Sequence, residues 1–157
     1  MALVSPLFFD TTVLLAGLIE LGPASAAAQR VMAAVAAGRI RGPQTAWHCC
    51  LEFYAVSTRL PEEFRLAPDD ARRLIEEEVL ARFQVHQLTP STRTAFLGRA
   101  AQDRAAGGRI YDAHIAEIAR QAGARAVVTD NRRHFAALAG YGIRLMSTEE
   151  LASEAKL

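Results

Sequence analysis

The chain has 157 residues, 51% of them hydrophobic and 22% charged, and a formal net charge of +1. It is long enough to bury a real core, and its composition excludes a disordered or fibrous protein; no uncharged apolar run reaches the roughly 18 residues that a membrane span needs. A charge this close to zero also excludes a nucleic-acid binder that works through its overall field, so any phosphate-binding surface must be local and carry its own arginines.

The first apolar residues lack a basic leader and are interrupted by Asp10, which is unlike a signal peptide. Leu7-Phe8-Phe9 running into Asp10 is expected as a short buried strand that stops at an acid. Gly22-Pro23 then opens a helix over residues 24–37, closed by Gly38. An extended piece over 39–42 leads to Pro43, and Thr45 is the expected N-cap of a second helix ending near Arg59, before Pro61. In that helix the only cysteines, Cys49 and Cys50, are adjacent and so point about 100° apart, which forms neither an ordinary disulfide nor a zinc pair. A reducing compartment, the cytoplasm, is the expected location.

Pro68-Asp69-Asp70 opens a third helix, with proline in the first turn and acids at the positive end of the dipole. Residues 83–88 alternate as a strand. Pro90 starts a helix that runs out at Gly107-Gly108, and residues 109–121 form another, closed by Gly123. Residues 126–129 are a buried strand ending at Asp130, and 143–145 a last short one. Ser147-x-x-Glu150 is a capping box for the terminal helix. With no repeat and no low-complexity linker, one domain over residues 1–157 is expected. Strands separated by helices imply an α/β fold, a mainly parallel central sheet of four or five strands with helices on both faces. Ligands of such sheets bind beyond the carboxyl ends of the strands.

Two buried strands end alike, in Asp10 and in Asp130. An acid in that position is either a helix cap or turn former, or a rim residue of the crevice. Glu52 lies on a narrow stripe between two apolar helix faces, Cys49 and Phe53 on one side and Trp47, Leu51 and Tyr54 on the other. Such a helix is expected to be largely buried, so Glu52 needs either His48, four residues earlier, or a cation. Asp112 sits in the first turn of its helix, where an acid also suits the dipole. Should Asp10, Glu52, Asp112 and Asp130 converge, their repulsion calls for a cation, and oxygen donors without cysteine select Mg2+ or Mn2+ over zinc. A metal in such a site suits phosphodiester hydrolysis.

The segments FFDTTVLL (8–15), WHCCLEFYAV (47–56), GGRIYDAHIAEIA (107–119) and AVVTDNRRHF (126–135) resemble, in this order, the PIN domain, most of all the VapC toxins of bacterial toxin–antitoxin pairs. The resemblance covers nearly the whole chain and implies a PIN-like three-layer sandwich. It implies that Asp10, Glu52, Asp112 and Asp130 bind the metal, with Thr12, Thr129 and Asn131 as supporting polar residues. One departure is His134, which stands where many relatives have Asp before the final Phe. The resemblance further implies an endoribonuclease, a homodimer, and inhibition by an antitoxin that enters the crevice. Arg109, Arg132, Arg133 and His134 are the candidates for contact with RNA.

Two other readings compete. A PIN-like module could bind RNA or a protein without cutting. A phosphatase of the haloacid dehalogenase type would share Asp10-Thr11-Thr12-Val13, but it needs a second Asp where Thr12 stands and a downstream Lys, and Lys156 is the only lysine. No histidine has the Ser or Cys partner of a nucleophilic triad.

Overall fold

The structure is a computed structural model and describes residues 3–157; the first two residues of the expected domain lie outside it. Five short strands make one sheet: β1 (Leu7–Phe9), β2 (Gln44–Ala46), β3 (Gln84–His86), β4 (Ala126–Val128) and β5 (Arg144–Met146). Their order is β3-β2-β1-β4-β5, and every neighbouring pair is parallel. Phe8 stands opposite Gln44 on one side and Val127 on the other. β1, β2 and β4 are wholly buried, as expected of strands covered on both faces. The chain moves outward from β1 in one direction, then returns to add β4 and β5 on the other side. The reversal opens a crevice between the carboxyl ends of β1 and β4.

Seven helices flank the sheet: α1 (Thr11–Leu18), α2 (Ala26–Ala36), α3 (Trp47–Ser57), α4 (Pro68–Leu74), α5 (Pro90–Gln102), α6 (Arg109–Gln121) and α7 (Thr148–Glu154). α4 continues into wider π-type turns over Ile75–Leu80, and a 3-10 segment, Arg132–Tyr141, joins β4 to β5. α1 packs on α2 and α3, and α2 on α7; α6 packs on α5, on the 3-10 segment and on β2. Right-handed crossovers put the β1-to-β3 helices on one face and the helices of the return to β4 on the other. One continuous apolar cluster, including Phe8, Phe9, Phe53, Ile115, Ile118, Met146 and Leu151, joins sheet and helices. Phe9 meets Phe83 edge to face, with ring centroids 5.4 Å apart. Among the described residues no single helix is long and apolar enough to cross a membrane.

Several local expectations change. α1 follows Asp10 directly, where no helix was expected; the Asp10 carboxylate caps it by accepting from Val13 N at 3.3 Å. Within α1, Gly17 permits a close crossing, since a Cβ there would lie 2.3 Å from Met32 Cγ and 2.9 Å from the Ala28 carbonyl of α2. Thr45 is not an N-cap but part of β2, and its hydroxyl donates to the Phe9 carbonyl at 2.8 Å. Strand pairing has displaced the cap by one residue, to Ala46. α3 is not largely buried: Cys49 and Phe53 lie in the core, but Trp47, Leu51 and Tyr54 remain exposed. On α6, Glu117 is buried. Arg99 and Arg120 each reach it at 2.6 Å and Gln121 at 3.0 Å. Burial raises its pKa, but these donors prevail and hold it below the usual carboxylate value.

Candidate active site

Asp10 lies at the mouth of the crevice and is only 3% exposed. Three donors hold its carboxylate: the Thr12 hydroxyl at 2.6 Å, the Val13 amide at 3.3 Å, and the Thr129 hydroxyl at 2.6 Å from the far strand. Burial nevertheless dominates and pushes the Asp10 carboxyl up to about 6; the hydroxyls and the amide oppose this, and the charge of Asp130 adds to it. The cause is simple: a carboxylate removed from water loses hydration that neutral hydroxyls only partly replace. A cation at its open edge would replace the rest.

The loop after β4 supplies the other side. Thr129 also accepts from Asn131 N at 3.0 Å, so one hydroxyl orients Asp10 and shapes the turn. Asp130 itself turns toward the terminal helix, its carboxylate accepting from the Thr148 amide and hydroxyl, both at 3.2 Å. Asp130 is therefore near enough to act on Asp10 by charge while serving as a cap. Asp112, in the first turn of α6, meets His134 Nδ1 at 2.9 Å. The same Nδ1 lies 2.8 Å from the side-chain amide of Asn131. Asn131 turns its Nδ2 to this nitrogen, so Nδ1 accepts from Asn131 in one tautomer and donates to Asp112 in the other. A chain of close polar contacts thus runs from Asp112 to Asp10 through His134, Asn131 and Thr129.

Glu52 of α3 is half-buried and accepts from the Thr11 hydroxyl at 2.9 Å, which ties it to the residue beside Asp10. His48 Nε2 stands 3.6 Å from it, so the expected i,i+4 neighbour is present. His48 Nδ1 in turn lies 2.7 Å from His114 Nδ1. His114 of α6 packs on Phe96; burial and the charge of His48 hold it below the usual imidazole value. Of the site neighbours, Thr11 and His114 lie inside the segments that carry the resemblance without being singled out by it, and Thr148 lies outside them.

The four acids do not form one closed shell. Among the described residues no three His, Cys, Asp or Glu side chains stand close enough together to enclose an ion. The donor chemistry still fits a hard cation: Mg2+ keeps several waters and is held through one or two carboxylates, not a full protein cage. Asp10, buried and raised, is the carboxylate that most favours such a partner. Cys49 and Cys50 offer nothing to it, because burial pushes their thiols to about 12 and about 11. Beside Asp112 an open cleft of about 840 Å3 is lined by Arg109, Arg133 and His134. Arg132, adjacent in sequence, is instead paired with Glu150. Of the three arginine candidates, the structure therefore brings two to the cleft and ties the third to an acid.

The sequence profile of the PIN domain family matches residues 6–133. Ribonuclease VapC27 of Mycobacterium tuberculosis is 38% identical over 128 residues, covering 81% of this chain and 86% of its own length. Among solved structures, FitAB bound to an IR36 DNA fragment superposes with a TM-score of 0.60 at 12% identity, over 91% of this chain and 95% of the other. FitAcB from Neisseria gonorrhoeae superposes with a TM-score of 0.59 at 13% identity, over 92% and 99%. The last two speak for the fold alone, a parallel α/β sandwich. With the profile spanning β1 to the loop after β4, the chain belongs to the PIN domain family.

Proposed function

We propose that the protein is an endoribonuclease that hydrolyses RNA phosphodiester bonds with the help of Mg2+ or Mn2+, and the toxin of a toxin–antitoxin pair. One observation carries the metal-dependent part: an acid with a pKa pushed up to about 6 lies buried at the carboxyl end of β1, where the sheet changes direction, held by two hydroxyls. The kinship to a ribonuclease at 38% identity supports the substrate class.

In this reading Asp10 and Asp112 are the principal ligands, with Glu52 brought to the same rim by Thr11. A bound divalent ion supplies Lewis acidity to the phosphodiester and to water. Thr12 and Thr129 aim the two oxygens of Asp10, and His134 orients Asp112. Asp130 acts through its charge and by holding α7, since its carboxylate is engaged by Thr148. Arg109 and Arg133 bind phosphates of the strand lying in the cleft. A protein partner and a homodimer belong to the same proposal. Exposed Trp47, Tyr54 and Leu80 edge an apolar groove of about 470 Å3 between α3 and α4, a surface that a lone soluble chain has little reason to keep bare. So does a cytoplasmic location.

The test is cleavage of total RNA by the purified protein. Cutting with Mn2+, its loss in EDTA, and its loss in folded Asp10→Asn and Asp112→Asn variants are the expected results. Undiminished cleavage by both variants overturns the assignment.

A further inference from the structure

Tyr111 stands one residue before Asp112 on α6, yet its ring is 56% exposed. It is not loose. The His48 ring braces it, with centroids 5.5 Å apart and planes tilted by 58°, and His48 is pinned in turn by His114 at 2.7 Å. The outer part of the Tyr111 ring borders an open pocket of about 380 Å3, whose other walls include Leu51, Val56, Glu52 and Arg59. Glu52 stands 3.6 Å from His48, and among the described residues Arg59 forms no ion pair. One pocket, walled in part by the candidate acid Glu52, therefore combines an aromatic platform, aliphatic walls and a cation.

We propose that this pocket holds an unpaired nucleobase of the RNA, stacked on Tyr111, with Arg59 on a neighbouring phosphate. The inference rests on the ribonuclease reading and deepens it, since it assigns the substrate as single-stranded at the nucleotide next to the cut. Proteins read unpaired bases by stacking them on aromatic rings, which duplex RNA does not allow. A ring fixed before binding loses little rotational freedom when a base settles on it. The position of Arg59 suits a polyanion. The apolar groove between α3 and α4, whose Arg72 is already paired with Asp69 and Glu76, is the better seat for a protein.

The experiment uses the full chain and short single-stranded RNAs carrying 2-aminopurine, titrated in EDTA, alongside cleavage assays with Mn2+. Wild type is expected to quench the probe. Tyr111→Ala weakens binding about tenfold, and Tyr111→Phe, which keeps the ring, restores it. In cleavage the loss falls on KM, as for an interaction made equally in ground and transition states. Arg59→Gln lowers the salt dependence of binding by about one unit of log-log slope. The melting temperature of Tyr111→Ala stays at the wild-type value, because the ring is mostly in solvent. If wild type cuts RNA but Tyr111→Ala binds and cuts as well as wild type, the stacking site is wrong and the ribonuclease reading stands. The stacking site is equally wrong if Tyr111→Ala loses only self-association or a protein partner. Absence of both RNA binding and cleavage in wild type removes the reading and this inference together.

Discussion

Asp10 gives the structure a measurable imbalance. Its carboxyl has a pKa of about 6 in the folded chain against 3.8 for a free Asp, so the folded state holds this proton more tightly than the unfolded state. The stability it contributes is therefore complete below about pH 4 and is lost as pH rises through about 6, levelling off near pH 7. A difference of roughly two units, at about 1.4 kcal/mol each, sets an upper value of about 3 kcal/mol. Asp10→Asn cannot ionise and escapes this loss. Its amide keeps an acceptor for Thr12 and Val13, and the Thr129 hydroxyl can turn to accept from it. Urea denaturation of both proteins in EDTA, from pH 4.5 to 7.5, measures the effect. Wild type is expected to lose about 2 kcal/mol relative to the variant over this range, the remainder falling below pH 4.5, or about 4–8 °C in melting temperature. Mg2+ or Mn2+ at pH 7.5 then recovers the loss in wild type alone, because the ion binds the ionised form of a carboxylate the variant lacks. Parallel pH curves, with a difference that stays below about 0.5 kcal/mol, would refute the claim that Asp10 is desolvated.

Two further outcomes follow from geometry. Gly17→Ala places a methyl against Met32 and the Ala28 carbonyl; Met32 can yield but the backbone cannot, so a loss of about 1–3 kcal/mol is expected in thermal unfolding. In RNA binding titrated against salt, Arg109→Gln and Arg133→Gln are each expected to reduce the slope by about one, while Arg132→Gln, already paired with Glu150, leaves it unchanged.

The legible parts of the fold are those with local causes. The run Leu7-Phe8-Phe9 ended by Asp10, the α6 span from Gly108 to Gly123, and the capping box of Ser147 and Glu150 were each expected and each observed. α1 was illegible because Thr11-Thr12-Val13-Leu14-Leu15 has β-branched and apolar residues without helical spacing. It is helical because Asp10 caps it and α2 and α3 cover it, causes that lie outside the segment. Thr45 failed as a cap for a related reason: pairing with β1 and β3 outweighs a local preference. In the site, the acids announce themselves by standing at strand and helix ends. The hydroxyls that aim them do not, since Thr11 reaches Glu52 across 41 positions and Thr148 reaches Asp130 across 18. The exposed second face of α3 has the same root, because a helical wheel shows that a face is apolar but not whether anything covers it.

The bond from Thr129 to Asp10 spans 119 positions. Until β4 has docked beside β1, Asp10 lacks one of its three donors and the crevice has only one wall. Closing so long a loop comes late on entropic grounds, after the nearby contacts are made. A chain emerging from the ribosome therefore carries the first acid of the site for most of its synthesis without the rest of the centre. For a protein that cuts RNA, this order of assembly would keep the transcript and the ribosome translating it safe from their own product until β4 has been made and has docked.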